Sequence, residues 1–187
     1  MPGRPPRADA QANRQRILDA AEHVFGTGGK AASTEEVARL AGVGIATVFR
    51  HFPTKTALVE SVLVRRFDRL RAHADALLDA EDPGAAFFGF FGHLVADAAT
   101  KIAIGEALHD LTGGGDTEAV QASLGLRRSF GALLERAQRA AAVRDDAELP
   151  EVYALLVAAS RAASQAGLDD DVRARMLAIV FDGLARR

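Results

Sequence analysis

The chain has 187 residues, 49% of them hydrophobic, with 23 Lys/Arg against 25 Asp/Glu and a formal net charge of −2. It holds no cysteine, which excludes a disulfide framework and a thiolate metal site. No apolar run reaches the ~20 residues of a membrane span, and the Pro/Arg/Ala-rich start lacks an apolar h-region, so the expectation is a cytoplasmic protein with no membrane partner.

The charge is unevenly placed. Residues 1–55 carry eight Lys/Arg against five Asp/Glu, and residues 56–187 carry fifteen against twenty. A basic first third is the footprint of a chain that touches phosphate at one end only. Abundant alanine and scarce proline predict an all-α fold, and nine helices can be read along it.

Residues 1–8 hold three prolines and two arginines. They read as an extended arm whose Arg4 and Arg7 can reach phosphate or the minor groove. Asp9 is the expected cap of a first helix over about 10–26, with Ile17, Leu18, Ala21, Val24 and Phe25 as its apolar stripe. Gly26, Gly28 and Gly29 are expected to end it. His23 falls on its outer surface.

The most informative stretch is Ser33 to Lys55. Ser33 and Glu36 have the S-x-x-E spacing of a capping box. Val37, Leu40 and Ala41 recur at helical spacing, Gly42 breaks the helix, and Gly42-Val43-Gly44 forms a tight turn. A second short helix follows from Ile45 to Phe52, with Val48 and Phe52 inward. Ile45, Ala46, Thr47, Phe49, Arg50 and His51 point out. Two short helices around a glycine turn make a helix-turn-helix, whose second helix enters the DNA major groove. The first three helices together form a small bundle.

Thr54 caps a long fourth helix to about residue 80, with Leu58, Val62, Phe67, Leu70, Ala74 and Leu77 along one side. Lys55, in its first turn, favours a phosphate there. Asp82-Pro83 opens a fifth helix, about 83–100. Its Phe87, Phe88, Phe90 and Phe91 cannot share one stripe, so it must be buried on more than one side, while Gly89 and Gly92 permit close approach. A sixth helix, about 102–111, ends at Thr112-Gly113-Gly114-Gly115. Asp116 or Thr117 caps a seventh, about 117–142. An eighth, about 149–166, opens near Pro150 and ends at Gly167. A ninth, about 170–185, is capped by Asp169. His93 with Asp97, and His109 with Asp110, read as solvated or hydrogen-bonded side chains in preference to a cation site, so no metal and no cofactor is expected. No nucleophile–base pair has motif context, and Gly113–Gly115 lacks the Lys-Ser/Thr of a phosphate loop, so no enzyme is expected.

Ser33, Val37, Ala38, Ala41, Gly42, Val43, Thr47, Val48, Phe49, Arg50, His51, Phe52, Lys55 and Leu58 together resemble the DNA-binding signature of the tetracycline-repressor-type (TetR) family of transcriptional regulators. The likeness extends back to Arg14, Ile17, Leu18, Ala20, Ala21, Phe25 and Gly29 and covers roughly the first 60 residues. It implies a DNA-binding domain over 1–55 and an effector-binding and dimerisation domain over 56–187. It also implies a homodimer that reads a pseudo-palindromic operator in double-stranded DNA. Such a dimer places two recognition helices about one turn (~34 Å) apart or a multiple.

The resemblance implies DNA contacts at Ser33, Thr34, Gly44, Ile45, Ala46, Thr47, Phe49, Arg50, His51 and Lys55. Three of these depart from the family pattern. Gly44 stands where a hydroxyl is usual and offers only a backbone N–H. Ile45 stands where a basic residue is usual and can touch a thymine methyl. Phe49 replaces a tyrosine whose hydroxyl meets phosphate. A ligand pocket is implied among helices four to eight, with Phe87, Phe91, Leu94, Leu108, Phe130 and Leu134 as walls. His93, His109 and Arg127 are its candidate polar contacts. The last two helices are implied to pair with those of a second subunit, through Tyr153, Leu156, Ser160, Ala163, Met176 and Val180. The function so implied is a repressor released by a small, mainly apolar effector of unknown identity. Two alternatives stand beside it: an effector-free architectural or activating DNA binder, and a helical small-molecule binder that has lost DNA binding.

Overall fold

The computed structural model describes residues 6–28, 31–113, 117–165 and 168–186. Among them run nine α-helices and one isolated β-bridge. The helices are α1 Pro6–Gly28, α2 Thr34–Ala41, α3 Ile45–His51, α4 Lys55–Leu77, α5 Pro83–Ala96, α6 Ala98–Thr112, α7 Glu118–Arg139, α8 Leu149–Gln165 and α9 Asp170–Leu184. The chain divides into two compact units, Met1–Arg66 with Thr100–Ala119, and Phe67–Ala99 with Val120–Arg187.

In the first unit α1 starts at Pro6, inside the expected arm. Proline suits a first helical position, because the N–H it lacks would be unpaired there anyway. Asp9 therefore stands in the first turn and not at the cap. The helix also runs through Gly26 to Gly28. Arg4, Gly29, Gly114, Gly115, Asp116 and Gly167 lie outside the described residues. Ile17, Leu18, Ala21, Val24 and Phe25 are buried, as the stripe predicts. Burying each large side chain of this kind contributes about 1.5–3 kcal/mol.

Local chemistry closes α2 at both ends. Ser33 Oγ accepts from Glu36 N at 3.1 Å. Gly42 takes φ 66°, the left-handed conformation that costs glycine nothing, and its N–H turns back to Arg39 O at 3.2 Å. Val37, Ala38 and Ala41 face the core. Leu40 does not: it is 47% exposed. Val37, Ala38 and Ala41 take the buried side of α2, and Leu40 falls outside it.

The first half of α4 is anchored to α1 within this unit. Arg65 Nη1 donates to Asp19 at 2.7 Å and Arg65 Nη2 to Glu22 at 2.9 Å, while Arg66, itself buried, pairs with the other oxygen of Glu22. Thr54 caps α4 by accepting from Ala57 N at 3.0 Å.

The second unit is built round the phenylalanines of α5. Asp82 caps that helix, accepting from Ala85 N at 2.9 Å. Phe87, Phe90 and Phe91 are buried, and Phe88 packs against Phe181 of α9 at 4.9 Å between ring centroids. Leu70, Leu126, Phe130, Leu133, Leu134, Val152 and Leu184 complete the core from α4, α7, α8 and α9. The close approach on α5 is at Gly84, not at Gly89 or Gly92. A Cβ at Gly84 would stand 2.6 Å from Ala142 Cβ, whereas Gly89 has nothing within 4 Å.

The end of α9 is stitched to the connection after α7. Val143 bridges Ala185, Arg144 N donates to Leu184 O at 2.9 Å, and Arg186 N donates to Ala142 O at 3.2 Å. Arg144 also grips Asp146 with two hydrogen bonds of 2.5 and 2.6 Å. Those hydrogen bonds, and the charge behind them, hold the Asp146 carboxyl below the ordinary carboxylate range and push the Arg144 guanidinium up. Asp169 caps α9 through Val172 N at 2.7 Å.

Candidate nucleic-acid interface

The face of α3 follows from what its other side must bury. Val48 is enclosed, and Phe52, the residue that ends the helix, lies in the core with the Arg14 guanidinium 4.9 Å from its ring centroid. With Val48 inward, helical geometry turns Ala46 and Arg50 outward and leaves Phe49 on the flank, while Ile45, three residues before Val48, is open because it starts the helix; all four are exposed. Ile45 is 38% and Phe49 44% exposed. Thr47 and His51 are half-buried at the edges of this face. Gly44 caps the helix with no side-chain hydrogen bond. The outward surface is therefore short and mainly apolar, with Arg50 as its exposed cation.

The flanking expected contacts divide. Ser33 is half-buried, and its hydroxyl is engaged in capping α2. Thr34 is 7% exposed and turns into the unit, so its side chain does not join the outward face. Lys55 is half-buried, donates to Ala32 O at 2.7 Å and lies 5.6 Å from the Phe25 ring centroid. Its ammonium ties the start of α4 to the connection before α2.

The residues expected to line a ligand pocket do not all fall in one unit. Phe87, Phe91, Phe130, Leu94 and Leu134 are buried together in the second unit. Phe130 meets Phe87 at 5.5 Å and Phe91 at 6.1 Å between ring centroids. Leu108 and His109 belong to the first unit. His93 and His109 are exposed, and His93 stacks edge-on against His73 at 5.1 Å. The Arg127 guanidinium lies over the Tyr153 ring at 4.6 Å. Two open clefts of about 330 and 300 Å³ lie in the first unit around Asp19, and none of the expected ligand residues lines them. Among the described residues no three His, Cys, Asp or Glu side chains are grouped to hold a metal ion.

The expected dimer face is largely turned inward. Leu156 and Ser160 are buried in the chain's own core, and Tyr153, Ala163, Met176 and Val180 pack partly against it. The large apolar residues left open on the same helices are Leu155 and Val157 of α8 and Ile179 of α9, the last 73% exposed. Sequence reasoning missed these three.

Residues 82–186, more than half of the chain, match the family model described as the C-terminal domain of SbtR-like transcriptional regulators. Residues 17–62 match the model of bacterial regulatory proteins of the tetR family. The chain belongs to the TetR family. A TetR transcription regulatory protein from Mycobacterium vanbaalenii is 39% identical over 97% of this chain and 99% of its own, with a TM-score of 0.77. A TetR regulator from Streptomyces coelicolor is 30% identical over 92% of this chain and 98% of its own, also at a TM-score of 0.77. The transcriptional repressor KstR of Mycolicibacterium smegmatis is 41% identical over 63 residues, which is 33% of this chain and 31% of that repressor. A regulator from Staphylococcus aureus is 30% identical over 74 residues and 39% of its length. The chain thus matches well under half the length of these curated relatives. The N-terminal segment matched to the TetR family contains the whole of α2 and α3. The family is one of DNA-binding regulators of transcription and not of enzymes. No single helix among the described residues is long and apolar enough to cross a membrane.

Proposed function

We propose that the chain acts as a homodimeric, cytoplasmic repressor that binds a pseudo-palindromic operator through α3 and releases it when a small, mainly apolar effector binds. The observation that carries the reading is the outward face of α3, held rigid by the Gly42 turn and by Val48 and Phe52 beneath it. Phosphate contacts fix such a helix in the major groove, and base contacts then specify the site. On this reading residues 1–55 read DNA, and the remainder carries effector and partner. Repression is taken from the likeness to KstR, named a repressor.

Support for a partner surface on α8 and α9 comes from Leu155 and Ile179, large apolar side chains of those helices left in water; Val157, two residues from Leu155, lies on the other flank of α8. A C₂ pair would cover Leu155 and Ile179 reciprocally and set two copies of α3 on one duplex face. A ligand would act by binding one arrangement of the dimer more tightly than the other. One observation favours a second reading, a regulator without an effector: Phe87, Phe91 and Phe130 fill the centre of the second unit with ring-on-ring contacts.

The test is enrichment of duplexes from a random pool by the full-length protein. Recovery of a two-fold symmetric site with half-sites about 10 base pairs apart, or a multiple, supports the dimeric reader. No enrichment rejects DNA binding, and enrichment of a single half-site rejects the dimer. An apolar compound that raises the melting temperature and releases the recovered duplex separates the effector-bound reading from the effector-free one.

A further inference from the structure

We propose that α3 selects its half-site through the C5-methyl groups of thymine, with Ile45 and Phe49 as the specificity-determining side chains. This readout rests on the DNA-binding reading above and adds the chemistry of the bases it takes. Ile45 and Phe49 stand four residues apart and therefore share one side of the helix. Both are large, apolar and exposed. Ala46, beside them, is exposed and short enough to let the helix approach the base edges. Gly44 adds no side chain, and nothing lies within 4 Å of where its Cβ would stand. From Gly44 to Phe49 the one hydrogen-bonding side chain is that of Thr47, half-buried at the edge of the face, so the open surface ahead of Arg50 is apolar.

An isoleucine and a phenylalanine cannot satisfy the donors and acceptors that guanine, adenine and cytosine display in the major groove. Pressed against those edges they would strip water from polar groups and return nothing. Thymine alone among the four bases projects a methyl group there, and apolar side chains are its natural contact. A methyl moved from water into contact with Ile45 or Phe49 contributes about 0.8 kcal/mol, or about fourfold in affinity. The pair therefore favours thymine and disfavours G·C at the same positions. Arg50 is left to supply a polar contact to an adjacent base or phosphate.

The test uses the full chain and the duplex recovered from the random pool. Each thymine of the half-site is replaced in turn by deoxyuridine, which removes the C5-methyl and leaves every hydrogen-bonding edge intact. The expected result is a rise in Kd of about fourfold at the thymines facing α3. Ile45→Ala and Phe49→Ala should each abolish that sensitivity at one position, so that thymine and uracil bind the variant alike. Ile45 is 38% and Phe49 44% exposed in the free protein, so each variant is expected to stay folded with a modest drop in melting temperature, which is measured alongside. Equal binding of thymine and uracil duplexes by the wild type overturns the proposal, as does a recovered half-site without thymine. Sensitivity that survives in both variants overturns the assignment to these residues. Failure to recover any duplex rejects DNA binding itself, and the methyl readout falls with it.

Discussion

Replacing Lys55 by methionine keeps the aliphatic stem and removes the ammonium. In the folded protein that ammonium donates to Ala32 O at 2.7 Å and sits 5.6 Å from the Phe25 ring centroid. Ala32 is only 2% exposed, so its carbonyl would lose a partner that water replaces poorly. A hydrogen bond from a charged donor is worth about 1.5–3 kcal/mol, and a partly solvated cation–π contact about 0.5–1. One ammonium serves both, and the methionine stem still packs, so the combined loss should be about 2 kcal/mol. At this chain length that lowers Tm by about 4–8 °C. The assay is thermal unfolding by far-UV circular dichroism without DNA, with Lys55→Arg as a control that keeps the charge. An ammonium has three donors, so contact with Ala32 and contact with a phosphate can coexist. Unfolding in the absence of DNA isolates the first. If Lys55→Met leaves Tm unchanged but abolishes DNA binding, the residue serves phosphate alone and the stabilising role is wrong.

Two further outcomes are expected. Leu155→Glu with Ile179→Glu should yield a folded monomer by sedimentation velocity, since both side chains are exposed, whereas Leu156→Glu should unfold the second unit, because it places a charge in the core; a persistent dimer in the first variant rejects that surface. Because the Asp146 carboxyl is held low by Arg144, its contribution is present above the usual carboxylate range and lost as pH falls through its lowered folded value. The Tm gap between wild type and Asp146→Asn should therefore be present at neutral pH and close as pH drops through and below about 4, and a gap independent of pH would refute the pairing.

What could be read from the sequence was what closes within a few residues. Ser33, Thr54, Asp82 and Asp169 each cap a helix through a backbone N–H three residues on, and Gly42 ends α2 by its own backbone. The crowding of Phe87 to Phe91 likewise required a helix buried on several sides. Features set by distant packing were not legible. Leu40 looks like a core residue until Ala38 and Ala41 are seen to take its place. On α8 the positions of Leu156 and Leu155 are equally apolar, and only the packing of α5 and α7 decides which turns inward. The Arg65 and Arg66 network with Asp19 and Glu22 joins residues more than forty positions apart, a distance at which charge spacing carries no signal. At the recognition helix the outward direction of Ala46 and Arg50 was predictable from helical period, and the exposure of Ile45, three residues before the buried Val48, was not. The burial of Thr34 and the engagement of Lys55 by Ala32 were not.

The start of α5 bears on how freely this chain can vary. Three successive positions there are each restricted, and for unrelated reasons. Asp82 must accept a hydrogen bond, Pro83 sits where its missing N–H does no harm, and Gly84 has no room for even a methyl group beside Ala142. Elsewhere on the helix a replacement is judged by volume and can be answered by a neighbour of complementary size. At Gly84 the smallest alternative already overlaps, so a compensating change would have to move backbone. In a library selected only for folding, residues 82–84 should therefore accept fewer substitutions than the phenylalanines that follow, although the phenylalanines bury far more surface.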